Sequence, residues 1–257
     1  MKSESLSINE RVDDVGIIIL AAGLGTRMKS DMAKVLHEVA GKPMISHVLE
    51  SAREVAGDNV VVVVGHQAEY VKEACLKVTP VSFAFQKEQK GTGHAVLCAM
   101  PEIAANTAHV IILCGDVPLL KSGTIRTLLA DHIKKNRDLS LLAVELLHPT
   151  GYGRVVVNEK RELTRIVEEA DATEDEKKIT IVNSGIYCVS KPFLSASLQR
   201  ITTDNVQGEL YLTDIIGVGY AMGKHIGVLV GSDPEEVTGV NTLEDLKAVE
   251  ALMQAHG

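Results

Sequence analysis

Short, dense apolar runs alternate with longer mixed segments through the first half of the chain. Ile17–Ala21, Asn59–Val64 and His109–Cys114 are apolar without alternation, the pattern of strands buried on both faces. Val81–Phe85 reads as a fourth, shorter strand. Between them, Met44–Val55 sets Met44, Ile45, Val48, Leu49 and Ala52 at helical spacing, with Pro43 suited to its start. Helices are also predicted over Ala68–Leu76, Thr92–Met100 and Ser122–Asn136. This β-α-β rhythm predicts an α/β protein with a Rossmann-like, mostly parallel sheet flanked by helices and right-handed crossovers. Ligands of such sheets bind beyond the carboxyl ends of the strands. The loops after Ile17–Ala21 and after His109–Cys114 both lie there and are expected to share one crevice.

The second half changes character. Leu139–Leu146, Ile181–Val189 and Ile226–Val230 read as strands, and Val155–Val157 and Leu163–Val167 as antiparallel pieces. Thr173–Lys178 is a charged surface segment. Helices are predicted over Pro192–Gln199, Leu210–Met222 and Leu243–Gln254. Thr242 is the expected N-cap of the last helix, with Asp245 at the capping-box position. The expectation is one unit over residues 1–257: a tail (1–12), a nucleotide-binding half (13–138), a smaller β-rich lobe (139–241) and a terminal helix (242–257).

Composition narrows the field. A chain of 257 residues suits one large core, and the absence of tryptophan leaves that core to Val, Ile, Leu and Ala. A net charge of −8 argues against nonspecific binding to nucleic acid or an anionic membrane. No apolar run approaches a membrane span, and the N-terminus lacks a signal core. Cys75, Cys98, Cys114 and Cys188 are scattered, which predicts reduced thiols in a cytoplasmic protein.

The chemistry concentrates after the first strand. Gly23 and Gly25 let the backbone bend and approach a ligand, and Thr26, Arg27 and Lys34 add a hydroxyl and two cations. Backbone N–H groups with cations suit a polyphosphate. The dinucleotide fingerprint fails at Met28, and the Walker pattern fails at Gly41-Lys42-Pro43. A bare strand-to-helix turn is the competing reading. Asp116, just past a parallel strand, is placed either to hold Mg²⁺ or to cap a turn. Asn241 is a weaker metal ligand or a helix cap. Gln86, Gln89 and Gly91-Thr92-Gly93-His94 form a second polar segment suited to a pyrimidine edge, or a plain helix start. Glu168 and Asn183 with Gly153 suit sugar hydroxyls and an acetamido group, while Glu168-Glu169 also reads as a solvated acidic face.

The order Leu-Ala-Ala-Gly-x-Gly-Thr-Arg-Met at 20–28, with Lys34 seven residues past Arg27, resembles the signature of sugar-nucleotide pyrophosphorylases. Further blocks extend the resemblance from about Val15 to Glu250: Gln86-x-x-Gln89-x-Gly91-Thr92-Gly93-His94, Gly115-Asp116-Val117-Pro118, Pro149-Thr150-Gly151-Tyr152-Gly153-Arg154, Asn183-Ser184-Gly185 and Gly239-Val240-Asn241. Together they resemble the N-terminal uridylyltransferase domain of the bifunctional bacterial enzyme that makes UDP-N-acetylglucosamine. The resemblance implies the nucleotide-diphospho-sugar transferase fold, with residues 139–241 as its sugar-binding lobe. It implies that Leu20, Ala21, Ala22, Gly23, Gln86, Gly91 and Thr92 face the nucleotide and that Arg27 and Lys34 face the phosphates. Asp116 and Asn241 would hold Mg²⁺. Gly153, Glu168 and Asn183 would hold the amino sugar, beside Cys114 and Gly115.

Two positions depart from that pattern. Ala33 stands where the family usually has proline, so Lys34 is expected to be less rigidly placed. Cys114 stands where it usually has tyrosine, which opens sugar selectivity. The family enzyme continues into an acetyl-transferring β-helix. This chain ends after its last helix, so an acetyl-CoA function is not expected, and a separate acetyltransferase partner is left open. The expected reaction joins a nucleoside triphosphate to a sugar 1-phosphate with release of pyrophosphate. The alternatives are another sugar or nucleotide, such as glucose 1-phosphate or dTTP, and a sensor that binds without turnover.

Overall fold

Val60–Val64 shows why the apolar runs do not alternate. All five valines are at most 2% exposed. Val60, Val62 and Val64 join one core cluster, and Val61 and Val63 join the other, so the strand is buried on both faces. The computed structural model describes residues 14–256, and the tail expected over residues 1–12 lies outside them.

Along the chain come β1 (Val15–Ala21), a small hairpin of β2 (Glu38–Val39) and β3 (Lys42–Pro43), α1 (Met44–Ala56) and β4 (Val60–Val64). Next are α2 (Ala68–Val78), β5 (Ser82–Phe85), α3 (Thr92–Ala99), β6 (His109–Cys114), α4 (Ser122–Lys134) and β7 (Leu139–Glu145). Then follow β8 (Arg154–Val157), β9 (Leu163–Val167), β10 (Ile181–Ser190), α5 (Lys191–Leu198), α6 (Asp214–Ala221), β11 (Ile226–Val230) and α7 (Leu243–His256). The main sheet runs β11-β7-β10-β6-β1-β4-β5. Its strands are parallel except β10, which is antiparallel to both β6 and β7. Helices α1, α2 and α4 cover one face, and α3, α5 and α6 cover the other. Strands from both sides of residue 138 therefore share one sheet. The β8–β9 ribbon hangs from it through the pairing of Val182 with Arg154.

One local expectation changes. The helix predicted from Leu210 begins only at Asp214. Leu210 N–H donates to the Lys90 carbonyl (2.9 Å), its carbonyl accepts from Gly93 N–H (2.8 Å), and Leu212 N–H donates to Thr92 Oγ1 (3.0 Å). Those backbone groups are thus tied to the Lys90–Gly93 segment and cannot open a helix. Pro43 stands at the start of α1 as expected, as its N-cap, and is also the last residue of β3. The β2–β3 hairpin was not legible. Its two-residue turn has φ of 49° at Ala40 and 74° at Gly41, a primed turn that alanine rarely marks. The capping box on α7 forms as expected, with Asp245 N–H donating to Thr242 Oγ1 (3.1 Å) and Thr242 N–H to Asp245 Oδ2 (2.9 Å).

One buried group makes stability depend on pH. His132 on α4 is fully buried, with its Nδ1 3.0 Å from Ser140 Oγ and its ring edge-on to His109 at 5.1 Å. Burial, helped by the His109 and Arg137 charges, pushes its pKa down to about 4 from 6.5, against Asp138 and Asp131. Between those values the unfolded chain binds a proton that the folded chain refuses, so stability is full above 6.5 and falls as pH drops towards 4. From pH 7 to pH 5 the loss from this residue is expected to be about 2 kcal/mol. Urea unfolding at both pH values should show that much less pH dependence in His132→Gln than in the parent chain. Equal dependence would contradict the assignment.

Candidate active site

Adjacent strands β1 and β6 end together, with Leu20 opposite Cys114. Their outgoing loops therefore start side by side, at the carboxyl edge where α/β sheets bind ligands. The first loop folds back through Gly25, whose φ is 63° and whose missing Cβ would lie 2.6 Å from Lys34 Cβ. Only glycine permits that approach. Met28 is buried against Val39, Met44, Val240 and Val249, which anchors the short turn Thr26–Met28 and leaves Arg27 exposed beside it. The second loop presents Asp116. A third segment arrives from the far end of the chain, where Val240 N–H donates to the Asp116 carbonyl (2.9 Å) and sets Asn241 next to it.

Four sequence-predicted side chains meet at this point. The Lys34 ammonium donates to the Asp116 carboxylate and to Asn241 Oδ1 (3.0 Å), and Arg27 Nη2 donates to the same Oδ1 (2.8 Å). Asn241 is not the cap of α7, since Thr242 and Asp245 fill that role. The Asp116 and Asn241 oxygens converge on one ammonium, so they already frame a cation position. A carboxylate and an amide oxygen suit Mg²⁺, which takes its other ligands from phosphates and water. Among the described residues no group of three His, Cys, Asp or Glu side chains could hold a metal by itself. An ion here would therefore take its remaining ligands from substrate oxygens and water.

Beside this rim opens a cavity of about 390 Å³. Leu20, Ala21, Ala22, Gly23, Lys34, Gln86, Gly91, Thr92, Cys114 and Asp116 line it, as do Gln89 and Glu209. Gly115 does not. It is packed beneath, with its N–H on the Leu20 carbonyl (2.9 Å) and a would-be Cβ 3.0 Å from that same oxygen. Gln86 is buried and donates its amide to the Gly91 carbonyl (3.0 Å) and to His94 Nδ1 (3.1 Å). Its Oε1 accepts no hydrogen bond among the described residues, so it offers a ligand an acceptor while its own donors are taken.

Gly153, Glu168 and Asn183 form a second group across Cys114. A Cβ on Gly153 would lie 3.3 Å from Glu168 Oε2, and its carbonyl accepts from Asn183 N–H (2.8 Å). Asn183 Oδ1 accepts from Gly185 N–H (2.8 Å) and the Tyr187 hydroxyl (3.0 Å), while its amide N–H groups donate to no partner among the described residues. Burial raises the Glu168 pKa, and the hydrogen bond from Thr213 (3.1 Å) works against that rise. Glu169 instead pairs with buried Arg154 (2.7 Å), so the two glutamates do not form one solvated face. Cys114 Sγ sits 3.6 Å from the Gly185 carbonyl. Burial pushes the thiol up to about 12, with Asp116 adding to the rise and Lys34 opposing it, which makes it a neutral wall and no nucleophile.

Sequence reasoning missed Gln67 and Glu209. Ala33, expected to loosen Lys34, is buried, and its N–H donates to Gln67 Oε1 (2.8 Å). Gln67 follows the carboxyl end of β4, so the rule that placed the other loops at this edge also reaches it.

Residues 17–180 match the family of MobA-like NTP transferase domains. The chain is 42% identical over 243 residues to the bifunctional protein GlmU of Geotalea uraniireducens, covering 95% of this chain and 53% of that protein. It is 45% identical over 243 residues to the protein of that name from Caldanaerobacter subterraneus subsp. tengcongensis, covering 95% and 52%. The chain thus spans about half the length of these curated relatives. Among solved structures it resembles a UDP-glucose pyrophosphorylase complexed with UDP-glucose, with a TM-score of 0.73 at 17% identity over 94% of this chain and 99% of that one. That likeness supports the fold of nucleotide-sugar pyrophosphorylases.

Gly91 supplies a direct check on the cavity wall. Its φ is 100°, and a Cβ would lie 2.5 Å from the Leu210 carbonyl oxygen. Gly91→Ala is expected to destabilise the chain by about 2–3 kcal/mol in urea unfolding. A variant as stable as the parent would show that Leu210 is not held against this loop.

Proposed function

The chain belongs to the family of MobA-like NTP transferase domains, and on that premise we propose that it moves a uridylyl group from UTP to N-acetylglucosamine 1-phosphate. The products are UDP-N-acetylglucosamine and pyrophosphate. The observation that carries this reading is the convergence of Arg27, Lys34, Asp116 and Asn241 beside one cavity at the sheet edge. It gathers cations and acceptor oxygens where a triphosphate and a sugar phosphate must meet on a protein of net charge −8.

The sugar phosphate is already an anion near neutral pH and attacks the α-phosphorus in line, so no general base is required. Catalysis then rests on positioning and charge neutralisation. Arg27 steadies the leaving pyrophosphate, and Lys34 reaches the α-phosphate. Mg²⁺ held by Asp116 and Asn241 would supply further neutralisation of the phosphate oxygens. The unoccupied acceptor on Gln86 suits a base with a ring N–H, as uracil has and cytosine lacks. The Ala22-Gly23 backbone, with Gly91 and Thr92, lines the nucleotide side. On the sugar side, Glu168 accepts hydroxyl donors and the Asn183 amide donates to the acetamido carbonyl.

Arg27→Ala and Asp116→Ala are each expected to lower turnover about 10²–10³-fold, roughly 3–4 kcal/mol, while staying folded. The assay combines UTP, Mg²⁺ and a panel of sugar 1-phosphates, measures pyrophosphate release and identifies the product by mass. Near-parental turnover in both variants, or a product lacking the amino sugar, would overturn the corresponding part of the proposal.

A further inference from the structure

Gln67 lies outside the cavity, yet both ends of its amide are engaged on the loop that delivers Lys34. Oε1 accepts the Ala33 N–H at 2.8 Å, and Nε2 donates to the Asp31 carbonyl at 2.7 Å. These two peptides flank Met32 and lead straight into Lys34. Residues 29–33 form no helix or strand, so repeating backbone hydrogen bonds do not hold them. A carboxylate could not donate to Asp31, and an ammonium could not accept from Ala33. An amide does both.

The Gln67 backbone is a second, independent observation. Its φ is 50°, in the left-handed region, between the end of β4 and the start of α2. Glycine takes that conformation freely, whereas a glutamine there is strained. Such strain persists where the surrounding structure over-determines it, often next to a ligand site. Here the side chain is what the strained position provides.

We propose that Gln67 is a positioning residue, whose amide fixes the Asp31–Ala33 backbone and thereby aims Lys34 at the phosphate rim. The proposal rests on the reading of Lys34 as a phosphate contact. It also replaces the expectation that Ala33 leaves the lysine loose, because a cross-loop hydrogen bond supplies the restraint.

Gln67→Gly removes the amide and relieves the backbone at once, so the fold should survive with little change in melting temperature. The expected loss is about ten- to a hundredfold in kcat, since a displacement on the order of 1 Å at a reacting group costs that much. KM for the sugar phosphate should hold, because Glu168 and Asn183 lie on other elements. In a Lys34→Ala background the same change should cost less than about twofold, as the group being aimed is gone. Ala33 has φ of −54°, within the range of proline. Ala33→Pro added to Gln67→Gly should therefore recover several-fold of the lost kcat. Should Gln67→Gly not fold, Gln67→Glu keeps the acceptor for Ala33 and sets an oxygen against the Asp31 carbonyl, and kcat should again drop. Parental kcat in a folded Gln67 variant, or an equal loss with and without Lys34, would overturn the proposal. Undiminished turnover in Lys34→Ala alone would instead overturn the reading of Lys34 beneath it.

Discussion

The Lys34 ammonium, held between the Asp116 carboxylate and the Asn241 amide, is the contact on which the site depends. It joins three segments separated by 82 and 207 positions along the chain. None of them holds the others locally. Lys34 follows an irregular loop, Asp116 lies just past a buried strand, and Asn241 precedes the terminal helix. Burial of Met28 and Val240 in one small cluster with Val249 of α7 brings the first and third together. The chain around the charges is thus placed by apolar packing, and the charges complete a geometry that packing has already set.

The reversed strand β10 gives the site its second side. It inserts between β6 and β7, and its pairing with β7 slips between Asn183 and Ile186. Gly185, with φ of 78°, absorbs the irregularity, and Ser184 Oγ donates to the Leu142 carbonyl (2.7 Å). A bulge of this kind re-aims one side chain without breaking the strand. Here it tips Asn183 beside Gly153 and sets the Gly185 carbonyl on Cys114. The rim made by β1 and β6 and the group carried by β8, β9 and β10 consequently share one rigid sheet.

Charge is distributed with the same economy. The protein is acidic overall, and its cations near the cavity act on specific oxygens instead of forming a broad field. Arg154 shows the contrast. It is buried, pairs with Glu169 and binds the Tyr152 carbonyl, so it secures the 149–154 loop and offers nothing to a ligand. Arg27 is exposed and engages only an amide oxygen, which leaves its charge available.

Most of the architecture was legible because two-sided burial writes itself into composition. The runs at β1, β4 and β6 contain no polar residue at alternate positions, since helices cover both faces. The meeting of the Gly23–Lys34 segment with Asp116 was legible too, because both follow the carboxyl ends of parallel strands. The start of α6 was not. Leu212, Ile215 and Ile216 carry helical spacing, but the backbone groups of Leu210 and Leu212 are taken by Lys90, Thr92 and Gly93, and no local pattern reports a partner about 120 residues away. Gln67 was hidden in the same way, as a glutamine at a helix start with no sign of the Ala33 N–H it would meet.

The sequence by itself determined which segments are strands and helices and which residue types can serve phosphate, metal or sugar, because periodicity and functional groups are local properties. Only the tertiary structure decided which of those groups meet at one rim. Lys34 finds Asp116 and Asn241, and Gln67 finds Ala33, as neighbours 82, 207 and 34 positions away. Those neighbours are chosen by the packing of the sheet and not by adjacency in the chain.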